Sequence, residues 1–430
     1  MRVPCSCGHS SVVGTMIVIR GNRFSPVYAF GFAFGAGMLV TCGALAQTPS
    51  PASGSWVSGI NFGAQLEGGA TGNFDRPSDG LNFGRLFDDK ANTVLLNQIQ
   101  LTAARPIDSS SSDYDVGFTL QGTYGSDVRY LHYLGEFNHL TSDRYQFTLL
   151  QANMLLHAPW LFAGGIDFKL GQFVTPIGYE TIDPSGNPFY SHSYLFNFGP
   201  FQNTGMLAVA HVSPMIDLYG EVDTGESTTF DGGDNNAEPA GLFGIGLNGL
   251  AGGKLTVLAL THLGPEDATH ALGDEANNKM RYESDVVATY KVNDKLSFAG
   301  EAQYQHDEGY GADAYGAAAY VSYALTPALT ANGRAEIYRD NTGFFVAAYP
   351  GNLDAIQALN GLPNTSFSAG RQTFSEFTLG VTYKPTIPYL KTLAFRPEIR
   401  WDKSFSGGHP YNALSDTGSF TLASDVIIGF

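Results

Sequence analysis

All three cysteines, Cys5, Cys7 and Cys42, lie in the first tenth of the chain. Disulfide scaffolds, thiol catalysis and cysteine metal sites are therefore excluded from everything after residue 46. Bases are also scarce: 23 Lys and Arg stand against 40 Asp and Glu, a formal net charge of −17. Such a balance argues against nucleic acid, whose phosphates need a cationic surface. A third absence is that of long apolar runs. Past residue 46 nothing approaches the roughly 20 apolar residues of a spanning helix, so if this chain crosses a membrane it does so as a closed barrel.

What the chain has in quantity is glycine (52), phenylalanine (30) and tyrosine (22). The amino-terminal end carries Arg20 and Arg23, an apolar stretch from Val27 to Val40, and Ala44-Leu45-Ala46 before Gln47. This pattern predicts an export signal over 1–46, with Met16 as the expected true start. Thr41 beside Cys42 disfavours lipoprotein processing. Residues 47–56 read as a polar, flexible lead-in, and 57–430 as a single barrel domain.

The final segment shows the governing pattern. Phe420, Leu422, Val426, Ile428 and Phe430 share one parity, while Thr421, Ala423, Asp425, Ile427 and Gly429 share the other. A period of two is that of a strand with two unlike faces. The alternation recurs in Phe395, Pro397, Ile399 and Trp401 against Arg396, Glu398, Arg400 and Asp402. It recurs again in Phe377, Leu379, Val381 and Tyr383 against Glu376, Thr378 and Thr382. Strands are expected near 57–66, 94–103, 115–124, 146–156, 164–173, 205–212, 215–223, 240–249, 254–262, 282–290, 295–305, 313–323, 327–339, 371–383, 393–402 and 420–430. Long connections such as 67–93, 174–204 and 340–370 tend to alternate with short ones such as Ser213-Pro214 and Lys291-Val-Asn-Asp294. Sorting of loop lengths by parity is the mark of an outer-membrane barrel, with tight turns on the periplasmic side. The fold class expected is all-β: a transmembrane antiparallel β-barrel of about 16 strands, within a range of about 14 to 18. Its closing strand is expected to pair with 57–66.

With the apolar parity in lipid, the opposite parity faces the lumen. It supplies the pore-lining candidates Glu283, Asp285, Glu301, Arg334, Glu336, Glu376, Arg396, Glu398, Arg400 and Asp402. The 174–204 connection is unusually aromatic for a surface loop, so it is expected to fold into the barrel mouth and narrow it. Its constriction candidates are Tyr179, Glu180, Asp183, Phe189, Tyr190, His192, Tyr194 and Phe196. His192 lies between Ser191 and Ser193, but neighbours on a chain do not place a hydroxyl on an imidazole nitrogen; the expectation is no catalytic residue. Asp231-Gly-Gly-Asp-Asn-Asn-Ala-Glu238 lacks the spacing of a calcium loop, so no metal and no cofactor are expected. That loop, with Glu266-Asp267, Asp274-Glu275 and Asp307-Glu308, predicts an acidic rim that concentrates cations.

The stretches Lys169-Leu-Gly-Gln-Phe-Val-Thr-Pro-Ile-Gly-Tyr-Glu180 and Asn187-Pro-Phe-Tyr-Ser-His-Ser-Tyr-Leu-Phe196 closely resemble the OmpL-like β-barrel porin family, as do Asp79-Gly-Leu-Asn-Phe-Gly-Arg85 and Tyr124-Gly-Ser-Asp-Val-Arg129. The likeness is most specific over 79–204. It implies an outer-membrane barrel of porin function and brings no catalytic residue. The functional expectation is passive diffusion of small hydrophilic solutes or ions through a water-filled pore narrowed by the 174–204 loop. The alternatives are a non-conducting structural or adhesion barrel and an outer-membrane hydrolase. Expected partners are outer-membrane lipids, small polar solutes, further copies of the chain as a trimer (or none, as a monomer), and the barrel-assembly machinery. The last would read Val426, Ile428 and Phe430 as its signal; no nucleic-acid partner is expected. Solute identity is not written in the residues.

Overall fold

The computed structural model describes residues 55–137, 143–230, 234–351 and 366–430. The export signal expected over 1–46 lies outside them. A single 3-10 turn, Trp56–Gly59, precedes the first strand. Sixteen antiparallel strands then close on themselves: β1 (Asn61–Asn73), β2 (Val94–Arg105), β3 (Asp115–Gly125), β4 (Gln146–Ala158), β5 (Ile166–Val174), β6 (Gln202–Ser213), β7 (Ile216–Glu226), β8 (Ala240–Gly249), β9 (Leu255–Pro265), β10 (Met280–Lys291), β11 (Leu296–Asp307), β12 (Ala312–Thr326), β13 (Leu329–Asp340), β16 (Gln372–Tyr383), β17 (Thr392–Ser404) and β18 (Gly418–Gly429). Two short strands between β13 and β16, β14 (Ala347–Ala348) and β15 (Phe367–Ser368), pair only with each other. Among the described residues no helix is long and apolar enough to cross a membrane.

The seam is formed by β18 on β1, from Gln65 opposite Gly429 to Asn73 opposite Thr421, and the Phe430 N–H donates to the Ala64 carbonyl at 2.8 Å. The sequence pattern placed this pairing on 57–66, too early. Gly63, Gly68, Gly69 and Gly72 carry no side chain to mark a face, so the alternation that defines the rest of β1 is invisible there.

Outward parity leaves Phe298, Phe377, Leu379, Tyr383, Phe395, Ile399 and Trp401 exposed, while the inward charges of the same strands are buried. Closure removes every sheet edge and satisfies the ladder bonds, which is what a strand needs in lipid. One interior wall departs from the expected charged lining. Leu207 of β6, Leu242 of β8, and Leu258 and Leu260 of β9 face inward and pack with Phe173 and Ile177.

Candidate functional site: the barrel interior and its loop

The connection between β5 and β6, residues 175–201, runs through the barrel interior. Local chemistry starts the descent. Asp183 accepts a hydrogen bond from the Ser185 N–H at 2.9 Å and opens the short 3-10 turn Pro184–Gly186. A second such turn, Leu195–Asn197, follows the aromatic run. Between them the chain turns its backbone N–H groups to strand carboxylates. Tyr190 donates to Glu398 at 2.8 Å, Ser191 to the same carboxylate at 3.3 Å, and Tyr194 and Leu195 to Glu336 at 2.7 and 2.8 Å. Tyr179 donates to Glu301 at 3.1 Å. Backbone donors withdrawn from water need such acceptors.

Arginines answer from the other direction. Arg334 bridges Glu180 at 2.6 Å and Glu376 at 2.5 Å and donates to the Ser191 carbonyl. Arg396 pairs with Asp425 and Glu67 and donates to the Pro184 and Asn187 carbonyls at 2.7 and 2.8 Å. Arg400 binds Asp402 at 2.8 Å and donates to the His192 carbonyl. A buried ion pair holds only when its remaining polar atoms are also satisfied; here the loop backbone satisfies them.

The aromatic residues of the loop fill the remaining space. Tyr194 donates its hydroxyl to Asp402 at 2.7 Å, meets the Tyr411 hydroxyl at 2.9 Å and stacks on Phe374. Phe189 lies under the Arg334 guanidinium, Tyr179 packs on Tyr320, and Phe196 meets Phe87 and Phe201. Tyr190 donates to Asn97 and crosses the inner face of β1 at Gly69, where a Cβ would stand 2.6 Å from its ring.

Burial alone would raise the Glu180 carboxyl, but the Arg334 guanidinium and the Ser193 N–H outweigh it and hold the group below the usual carboxylate range. His192 is pushed down to about 4, chiefly by burial, with Arg334 and Arg396 adding to the fall against Glu180 and Asp88. Its ring stacks on Phe196 at 4.0 Å and its Nε2 faces the Asn187 amide at 3.2 Å. The sequence neighbours do not meet it: Ser191 Oγ accepts from Arg334, Ser193 Oγ accepts from the Phe196 N–H, and Asp183 is held by Ser185 and by Gln65.

Of the ten inward candidates, Glu301, Arg334, Glu336, Glu376, Arg396, Glu398, Arg400 and Asp402 form a network with the loop. Glu283 and Asp285 stand on β10, where Gln303 and Gln305 of β11 donate to Glu283 at 3.0 Å. None of the ten is more than 5% exposed. The network also includes residues that strand parity did not single out. Arg85, from the β1–β2 connection, bonds Asp88 at 2.6 Å and Asp402 at 2.8 Å, and the Asn197 amide reaches the Gly84 carbonyl. Glu67 was hidden by the glycines beside it, whereas Asp425 was visible as the lone acid on the inner face of β18. The acidic rim is also altered. Glu266, Asp267 and Asp307 are withdrawn from solvent, with Asp267 and Asp307 at 3.2 and 2.8 Å from Arg281; burial raises Glu266, and pushes Asp267 up to about 6. Asp231 lies outside the described residues, among which no group of three His, Cys, Asp or Glu is placed to hold a metal.

A closed sixteen-stranded antiparallel barrel, apolar outside and charged within, with a long loop folded inward, defines a channel-type barrel of the outer membrane. Residues 59–430 match the family described as "Putative beta-barrel porin-2, OmpL-like", and the chain belongs to it. No curated protein matches the chain. Similar solved structures include the outer membrane channel DcaP of Acinetobacter baumannii, at 14% identity and a TM-score of 0.52, over 86% of this chain and 97% of that one. OprB of Pseudomonas putida at high pH gives 14% and 0.52 over 87% and 95%. An anion-selective porin from Comamonas acidovorans gives 10% and 0.53 over 86% and 99%. At such identities the likeness is one of fold.

Proposed function

We propose that this barrel is a narrow porin admitting small hydrophilic solutes by passive diffusion, with the 175–201 loop as its restriction and the inward charges as its filter. One observation carries the reading: the loop is tied across the interior by its own N–H groups, to Glu336 on β13 and to Glu398 on β17. A restriction held by backbone donors on fixed carboxylates keeps its shape without relying on flexible side chains. Delivery to the outer membrane through the 1–46 signal, and recognition of the closing strand by assembly machinery, belong to the same reading. We read the chain as non-enzymatic, a reading supported by its porin family and by the engagement of the His192 ring with Asn187 and Phe196.

Reconstitution in a planar bilayer tests it. Folded protein is expected to give small, discrete conductance steps that grow when Glu336→Gln and Glu398→Gln loosen the loop. A second reading, a barrel that conducts nothing, is favoured by the near-complete burial of the ten inward candidates. Folded protein that gives no steps, with or without the two substitutions, decides for that reading.

A further inference from the structure

The outer face of β13, β16 and β17 changes character just above its aromatic and aliphatic residues. On β13 the outward residue after Ile337 is Arg339, and on β17 the one after Trp401 is Lys403. On β16 the outward parity runs from Phe377 back through Ser375 and Thr373 to Arg371, which is exposed. Strand register places Arg339 opposite Thr373 and Lys403 opposite Ser375, with Arg371 two residues beyond Thr373 on the same parity, so the three bases form a staggered row. The Arg339 guanidinium donates to Thr373 Oγ1 at 2.9 Å, Ser406 Oγ at 3.0 Å and Asn341 Oδ1 at 2.7 Å, and Lys403 Nζ donates to Thr417 Oγ1 at 2.5 Å. All of these acceptors are neutral, and among the described residues no carboxylate pairs with Arg339, Arg371 or Lys403. The acids nearest in the chain's own network are engaged elsewhere: Asp313 accepts from Asn341, and Asp416 accepts from Asn412 and Ser415.

Three unneutralised bases side by side are unexpected in a chain of net charge −17. Nearly every interior arginine has a carboxylate within salt-bridge distance, so these three are left out of the balance struck elsewhere. Arg339 and Lys403 stand one outward position above exposed Ile337 and Trp401, and Arg371 lies further along the same parity as Phe377, where a barrel's apolar band is expected to give way to the membrane interface. We propose that this row, Arg339, Arg371 and Lys403 with the Thr373 and Ser406 hydroxyls, binds the phosphate of an anionic lipid headgroup in the outer leaflet. The lipid's acyl chains would lie over Ile337, Phe377 and Trp401. Guanidinium groups match phosphate oxygens in pairs, and the apolar residues directly below give a lipid a hold that a free anion lacks.

Trp401 reports on the site. In the full-length protein with Trp56→Phe and Trp160→Phe, the remaining tryptophan fluorescence is measured in vesicles of brominated phosphatidylcholine with increasing brominated phosphatidylglycerol. The expected result is a preference of about five-fold for the anionic lipid, falling to about one in the Arg339→Gln, Arg371→Gln, Lys403→Gln variant and retained in Arg339→Lys. Equal quenching by both lipids in the protein with the bases intact, or a preference unchanged by the triple substitution, overturns the proposal. So does loss of the preference in millimolar inorganic phosphate at constant ionic strength, which assigns the row to the free anion. If the triple variant does not fold by heat-modifiable migration, Arg371→Gln alone, at an exposed position with no described partner, is expected to lower the preference; an unchanged value again refutes it.

Discussion

Arg334 of β13 and Glu180 of the inserted loop, 154 residues apart in the chain, meet at 2.6 Å with neither side chain more than 2% exposed. The same guanidinium holds Glu376 on the neighbouring strand, so a single side chain ties the loop to two adjacent staves of the barrel.

Replacing Arg334 with Met should therefore leave Glu180 buried without this counter-charge and Glu376 with only Arg400, 4.0 Å away. Removing one partner of a buried pair costs about 3–5 kcal/mol. The expected outcome is a lower urea midpoint together with larger conductance steps, since the loop loses its central tie. Unchanged conductance in a variant of reduced stability would separate the loop's packing role from restriction.

Gly69 tests where the loop lies. An alanine Cβ there would stand 2.6 Å from the Tyr190 ring and 3.0 Å from the Asp425 Cβ. Gly69→Ala should cost about 1–3 kcal/mol by overpacking, and the additional substitution Tyr190→Ala should recover part of that loss. Denaturation of the single and double variants supplies the comparison.

His192 makes the loop sensitive to acid. Its unfolded imidazole titrates near about 6.5, and in the folded protein burial pushes it down to about 4. Between those values the unfolded chain binds the proton and the folded one does not, so this residue's contribution to stability is full above about 6.5 and is lost as pH falls toward about 4. Glu180, held below its usual range, adds a loss at lower pH still. Because other buried carboxylates titrate in the same region, the measurement is the difference between the parent protein and His192→Gln: the gap in urea midpoint should shrink between pH 7 and pH 4.

The closing strand predicts an assembly phenotype. Phe430 donates its N–H to Ala64 at the seam while its ring is exposed. Phe430→Ala should reduce the amount of heat-modifiable protein in the outer membrane several-fold and leave the conductance of the surviving fraction unchanged. Normal outer-membrane levels count against a recognition role for this ring.

By itself the sequence determined the barrel: the strand number, most strand limits, the lipid-facing parity and the inward course of the aromatic loop. Those features are local, since a period of two and the length of a connection are set within about a dozen residues. Where local marks were absent the reading slipped, as in β1, whose glycines displaced the expected seam. The tertiary structure alone decided what covers the inward charges. Parity says that Glu398 and Arg400 point inside, but not that Tyr190 and His192, 208 residues earlier, lie upon them. It also could not foresee the leucine wall of β6, β8 and β9, or the withdrawal of Asp267 and Asp307 to Arg281. The reason is physical. Alternation records which face of a strand avoids lipid, whereas a charge facing inward can be satisfied equally by water or by a folded loop, and that choice depends on residues far away in the chain.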